Sequence, residues 1–429
     1  MVRFKFLAHA SLPVLLATLS GCTVGTVAGN IPTPPGESEP SGSATASEPT
    51  EETTSTPSES TTSPASWTIF VYANGDNDRS QDLAADIARM NQATLGTDVK
   101  VVVLADWNAN LKDAKGDRFA TGTDWSSLSG NGQPATTKHE AEKDLDDPAV
   151  LRTSVARAFK ENPARHYGLI MWTRAEGGDT QDGQRPGASA MSTTAMISAI
   201  RDGANDAGLT GDRPLDMLGF DFYSPGRIEV AYAMKSISRV YIATAAKSHS
   251  TAWAYADALS FLSENPEASP ATFVTAEATA AKKSGTRSHL AIETTKLESL
   301  ATSTSSLVNV VISHPEFMPR VIAAAYATAL RAMQNGRPPS YNRFVHELAT
   351  NGEGGALTTA AESVATHLDE ALLRPTGDDA EVGITLPFAW TSPSWAEEYL
   401  ETAKDWRQAS GWDALAESFS AYDPKSFTP

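Results

Sequence analysis

The sequence predicts an α/β fold, a mostly parallel sheet flanked by helices, with a helical C-terminal half. Two stretches carry that prediction: LIMWTRAEGGD (169–179) and LDMLGFDFYSPG (215–226). Each is a short apolar run that stops abruptly in polar, Gly and Pro residues. Leu169 to Trp172 and Leu215 to Phe220 have the length and character of strands buried on both faces. Helical patterns lie between and around them, which makes them neighbours in a parallel sheet. In such sheets the functional site lies beyond the carboxyl ends of the strands. Chemistry is therefore expected just after Trp172 and Phe220.

Residues 1–21 read as an export signal. Arg3 and Lys5 form a basic start, and Leu12 to Leu19 an apolar run too short to span a bilayer. The run ends in Leu19-Ser20-Gly21-Cys22, which matches the bacterial lipobox. In signals of that kind cleavage precedes the Cys, whose sulfur takes a diacylglycerol. The chain is then exported and held at the outer face of the bacterial cell membrane. An ordinary signal peptide with a chance Cys is the plainer alternative. Residues 22–66 are the lipidated Cys and a Ser/Thr/Pro/Glu tether. It has hardly any large apolar side chains, so it cannot bury enough surface to fold. As a random coil it reaches on the order of 40 Å.

Residues 67–429 form the expected α/β domain. TIFVYA (68–73) is a first strand, followed by the turn Asn74 to Asp78. Leu83, Ile87 and Met90 share one face of a helix over about 80–94. VKVVVLA (99–105) is a second buried strand, ending at Asp106-Trp107. Residues 108–145 hold little core material and predict a long surface excursion. Asp147-Pro148 opens a helix, because Asp caps free N–H groups and Pro suits the first turn. A helix over Thr193 to Ala207 precedes the Phe220 strand, and another over Arg227 to Ser236 follows it. VYIATAA (240–246) is a further strand. A mainly helical insertion covers about 254–380, with HLAIETTK (289–296) as an added strand. VGITLPFAW (382–390) reads as a last strand, and the region to 419 as a closing helix pair with aromatic anchors.

The strand ends resemble the clostripain family of cysteine peptidases, which have a caspase-like fold. In that family the first strand ends in Trp-Asp-His-Gly-Gly, where His is the base. The second ends in Gly-Phe-Asp-Ala-Cys, where Cys is the nucleophile. This chain keeps Trp172, Gly177, Gly178, Gly219, Phe220 and Asp221. The His position falls on Arg174, or on Glu176 if the glycines are held fixed, and the Cys position falls on Tyr223. The family's loop after the next strand carries an Asp two positions before a Trp, which contacts basic substrate side chains. Here that substrate-specificity position is Thr251, before Trp253. The resemblance covers about 67–419 and implies a relative without the catalytic dyad, so no catalytic residues are expected.

Composition supports that reading. Cys22 is the single cysteine of the 429 residues, so no intrachain disulfide or Cys-based metal site exists. A lipidated Cys22 leaves no thiol for peptidase chemistry. The net charge of −18 argues against nucleic acid as a partner and against a polybasic grip on lipids. It suits basic peptides, an envelope protein or cations.

Three alternatives are weighed. Ser224 follows Tyr223 at the correct edge, and His249 follows the adjacent strand. A Ser224 nucleophile with His249 or Glu176 as base would be a rebuilt hydrolase. The plain reading, which is preferred, is a loop serine and a loop histidine. Pro225 also lacks the N–H that an oxyanion hole would use. His166 precedes Tyr167, but the start of its strand lies roughly 20 Å from the active edge. Asp76, Asp78, Asp106, Glu176, Asp179 and Asp221 all follow strands. Such oxygens suit Ca²⁺, which takes six to eight. The plainer reading, which is preferred because no contiguous Ca²⁺ loop is present, is solvated turn and cap residues, which Asp favours. No cofactor is otherwise expected.

Overall fold

The computed structural model describes residues 64–172, 191–221, 226–244, 253–284, 289–335, 339–351, 355–373, 381–384, 386 and 400–420. All belong to a compact unit, Thr62–Pro429. The chain enters the sheet at β1 (Ala65–Ala73), slightly ahead of Trp67. It continues through α1 (Ser80–Gln92), β2 (Val99–Asp106), β3 (Thr123–Ser127) and β4 (Thr136–Glu140). Then come α2 (Pro148–Glu161), β5 (Ala164–Trp172), α3 (Thr193–Asp206), β6 (Leu215–Asp221), α4 (Ile228–Met234) and β7 (Ser238–Thr244). The second half runs α5 (Tyr255–Glu264), α6 (Pro270–Lys283), β8 (His289–Glu293), α7 (Leu297–Ser313), α8 (Met318–Asn335), α9 (Tyr341–Asn351), α10 (Gly355–Ala371) and β9 (Leu372–Leu373). Two short helices follow, Lys404–Ser410 and Trp412–Ser420.

The sheet has nine strands in the order β4-β3-β2-β1-β5-β6-β7-β8-β9. The five central strands, β2-β1-β5-β6-β7, are parallel, and the outer pairings are antiparallel. The expected apolar runs are the central strands: β1, β2, β5, β6 and β7 are buried along most of their length. One face of the sheet packs a core with α2, α3, α4, α7 and the later helices. The other packs a second core with α1, α5 and α6. The order in which strands are added reverses between β1 and β5, where ligand crevices form in open α/β sheets.

Local signals explain several elements. Asp147 Oδ1 accepts the Ala149 N–H at 2.8 Å, and Pro148 opens α2. Ser192 caps α3 through Ala195 N. His166 lies near the amino end of β5, stacked on Trp67 with ring centroids 4.7 Å apart, at the strand end away from the expected site.

Two expectations need correction. Residues 108–145 are not only a surface excursion. They contain the β3–β4 hairpin, which extends the sheet beyond β2. Trp125 is its single large inward residue, packed 5.6 Å from Phe70 and covered by the Arg157 guanidinium at 3.9 Å. One anchored aromatic is enough for an edge hairpin, so the segment lacks an apolar run. VGITLPFAW is not a strand in its described part. Gly383 makes only isolated bridges to Arg227 and Ser340. The segment threads between the starts of α4 and α9, with Ile228 N–H donating to Gly383 O and Tyr341 N–H to Val382 O.

Candidate functional site

The carboxyl ends of β1, β2, β5, β6 and β7 share one edge of the sheet, where Trp172 pairs with Asp221 in register. Buried polar groups concentrate there. Trp172 is fully buried and donates its indole N–H to Asp86 Oδ2 at 2.9 Å. Asp86 sits on α1 with no exposed surface, and its other oxygen accepts from Arg89 Nε at 3.0 Å. Burial pushes the Asp86 carboxyl up to about 8, with the nearby Asp221 charge adding to the effect; Trp172 and Arg89 act against it. Asp221 is also fully buried and accepts from the Tyr255 hydroxyl at 2.7 Å. Burial, and then the Asp221 charge, raises the Tyr255 phenol well above its ordinary value.

Trp253 closes this layer. Its indole N–H donates to Phe220 O at 3.2 Å, and its ring lies over Gly219. A Cβ at Gly219 would sit 2.6 Å from Trp253 Cζ2, so only glycine admits the ring at that approach.

A second acidic group stands at the ends of β1 and β2. Asp76, Asp106 and Glu142 offer oxygens within 4.8 Å of one another. Gly75 lets the turn after β1 press on β2, since a Cβ there would meet Asp106 O at 2.5 Å. Asp106 is buried and accepts from Trp107 N at 2.9 Å. Burial first, and then the Glu142 carboxylate beside it, pushes Asp106 up to about 8. The Asp76 carboxyl is raised by burial and Glu142. Three side-chain oxygens fall short of a full Ca²⁺ shell, so a hard cation there would need backbone or water ligands.

The acidic residues read from the sequence thus divide. Asp76 and Asp106 come together, joined by Glu142. Asp78 is exposed beside Arg79 at 4.0 Å. Asp221 is sealed beneath the edge rather than displayed on it, because Tyr255 and Trp253 close over the end of β6. Arg174, Glu176, Asp179, Tyr223, Ser224, His249, Thr251 and Cys22 lie outside the described residues. The segments carrying the first seven leave from the ends of the adjacent strands β5, β6 and β7.

Sequence reading missed Asp86, Glu142 and Tyr255. Asp86 had a local signal: it lies on the same helical stripe as Leu83 and Met90, both buried. The others meet their partners only through the fold.

Comparison with known proteins agrees with this architecture. The family model described as "Clostripain family" matches residues 71–417. An inactive zymogen C11 protease from Parabacteroides distasonis superimposes with a TM-score of 0.56 at 15% identity, covering 81% of this chain and 99% of that one. A secreted C11 cysteine protease from Bacteroides thetaiotaomicron, in complex with an irreversible peptide inhibitor, gives a TM-score of 0.56 at 14% identity, covering 81% and 99%. At such identities these likenesses speak to the fold. No curated protein sequence matches.

Proposed function

The chain belongs to the clostripain family, and from that premise we propose that it is a non-catalytic member serving as a binding or scaffold protein at the bacterial cell envelope. The observation that carries the reading is simple: the span matching the family, 71–417, contains no cysteine. A cysteine peptidase needs a thiolate nucleophile. The single Cys22 lies ahead of that span, and its place in a lipobox supports lipidation there. The nucleophile position falls on Tyr223, the base position on Arg174 or Glu176, and the specificity position on Thr251. The scaffold around them is kept: Trp172, Gly219 and Asp221 are packed and hydrogen-bonded at the strand ends.

In this reading the tether holds the domain to the outer face of the membrane, and the edge receives a basic peptide or an envelope protein. The acidic balance of the chain supports such partners. Among the described residues no helix is long and apolar enough to cross a membrane. Anchoring is assigned to Cys22 on its lipobox.

The test is a cleavage assay on the mature chain carrying Cys22→Ser. The substrate is a peptide library rich in Arg and Lys, with and without Ca²⁺. Ser224→Ala and His249→Ala are assayed beside it. The expected result is no cleavage by a cooperatively melting sample. Cleavage that disappears in either variant overturns the reading and identifies a rebuilt hydrolase site.

A further inference from the structure

His289 opens β8 and pairs with Thr244, the last residue of β7. Its Nδ1 lies 2.6 Å from Glu277 Oε2 on α6, and neither side chain has exposed surface. Its Nε2 is buried with no hydrogen-bond partner among the described residues. The other Glu277 oxygen accepts the Ala254 N–H at 3.3 Å. The imidazole packs on the Trp253 indole, centroids 5.6 Å apart, and Trp253 stacks on Tyr255 at 5.8 Å. Trp253 and Tyr255 hold Phe220 O and Asp221 at the end of β6. One buried pair thus supports Trp253, Ala254 and the start of α5, and these support the end of β6.

A buried carboxylate and imidazole are tolerated when each answers the other, and losing one charge leaves the second uncompensated. The groups facing this pair are mostly acidic. Within it Glu277 answers His289 from α6; Asp221 faces it from β6 and the Tyr255 phenol from α5, and Asp86 on α1 acts on Asp221 and Tyr255. Thr244 and Trp253 are neutral. Burial disfavours the imidazolium, but the Glu277 carboxylate in contact and the Asp221 charge outweigh burial and hold His289 above its ordinary value.

We propose that the Glu277–His289 pair is a protonation-controlled latch. As an imidazolium, His289 clamps Trp253 and Tyr255 against the end of β6. Loss of its proton leaves Glu277 and Asp221 facing each other without that cation and loosens Trp253 and the start of α5. The latch rests on the buried contacts alone and stands whether or not the edge binds a partner.

The test uses the mature chain with Cys22→Ser. ¹⁵N-histidine NMR follows the imidazole of His289 from pH 6 to 9. Hydrogen exchange follows the Trp253 indole N–H and the Ala254 amide over the same range. The expected result is an imidazolium at pH 6. As it titrates, protection at both N–H groups falls about tenfold after correction for intrinsic base catalysis. Amides within β1 show no step. His289→Gln, neutral at every pH, shows low protection without a step, while Asp86→Asn keeps the step. A neutral His289 at pH 6, no step in the parent, or a step that Asp86→Asn removes overturns the proposal. If His289→Gln does not fold, coincidence of the parent's imidazole titration with its exchange step decides the matter.

Discussion

The Trp172 indole donates to Asp86 Oδ2 at 2.9 Å, tying the end of β5 to helix α1 across one face of the sheet. Both groups are fully buried, so neither can turn to water if the other is lost. Asp86→Ala strands the indole N–H and opens a cavity. The expected cost is about 1–3 kcal/mol in urea unfolding. Asp86→Asn keeps an acceptor and resembles the neutral acid that burial favours at pH 7. It is expected to lie within about 1 kcal/mol of the parent. Equal losses in the two variants would count against this assignment.

Stability should fall as pH rises from 5 to 8. Asp86 and Asp106 titrate near 3.8 when unfolded and are pushed up to about 8 in the fold. Between those values the folded chain binds more protons than the unfolded one, so stability declines with pH. The contribution is complete below about pH 4 and gone above about pH 8. His289, also raised, adds a loss that begins above its ordinary value of 6.5. Carboxylates held low by cations, such as Glu140 beside Lys143 and Arg157, act only in acid. A melting temperature that climbs from pH 5 to 8 would contradict the assignment. Asp86→Asn should flatten the fall.

Gly219→Ala should destabilise through packing alone. Its Cβ meets the Trp253 ring at 2.6 Å, and that ring is wedged against Tyr255 and His289. Overpacking of this kind costs about 1–3 kcal/mol. Trp253 should also lose its hold on Phe220 O, read as faster exchange of its indole proton. Unchanged stability and exchange would mean the ring has room that the structure does not show.

Asp106→Asn should stabilise the fold above pH 7, because it removes a buried carboxylate facing Glu142 and Asp76. Added Ca²⁺ should then leave the melting temperature of parent and variant alike. A rise with Ca²⁺ in the parent that Asp106→Asn abolishes would instead assign the cluster to a cation.

Cys22→Ser should move the protein from the membrane pellet to the soluble fraction and abolish incorporation of a radiolabelled fatty acid. Unaltered sedimentation with high-salt washing would point to a different means of attachment.

The central strands and their helices were legible from the sequence because both obey local rules. Strands buried on both faces appear as unbroken apolar runs, and Asp147-Pro148 marks a helix start without any long-range partner. The β3–β4 hairpin escaped because Trp125 is its single large apolar side chain facing inward, beside the small Thr123 and Ser126, so no run exists to be read. Residues 381–384 escaped in the other direction: their apolar character serves to plug the space between α4 and α9, with the backbone bridging two helix starts instead of joining the sheet.

By itself the sequence determined the family's scaffold, the adjacency of the strands ending at Trp172 and Phe220 and the absence of any thiol beyond Cys22. These depend on residue identity and short-range pattern. Only the tertiary structure decided which charges are buried and whom they face. Asp221 turned inward under Tyr255, Asp106 met Glu142, and Glu277 met His289. Protonation at this edge follows from those meetings, because the energy of a charge is set by its distance to others and to water, and chain spacing specifies neither.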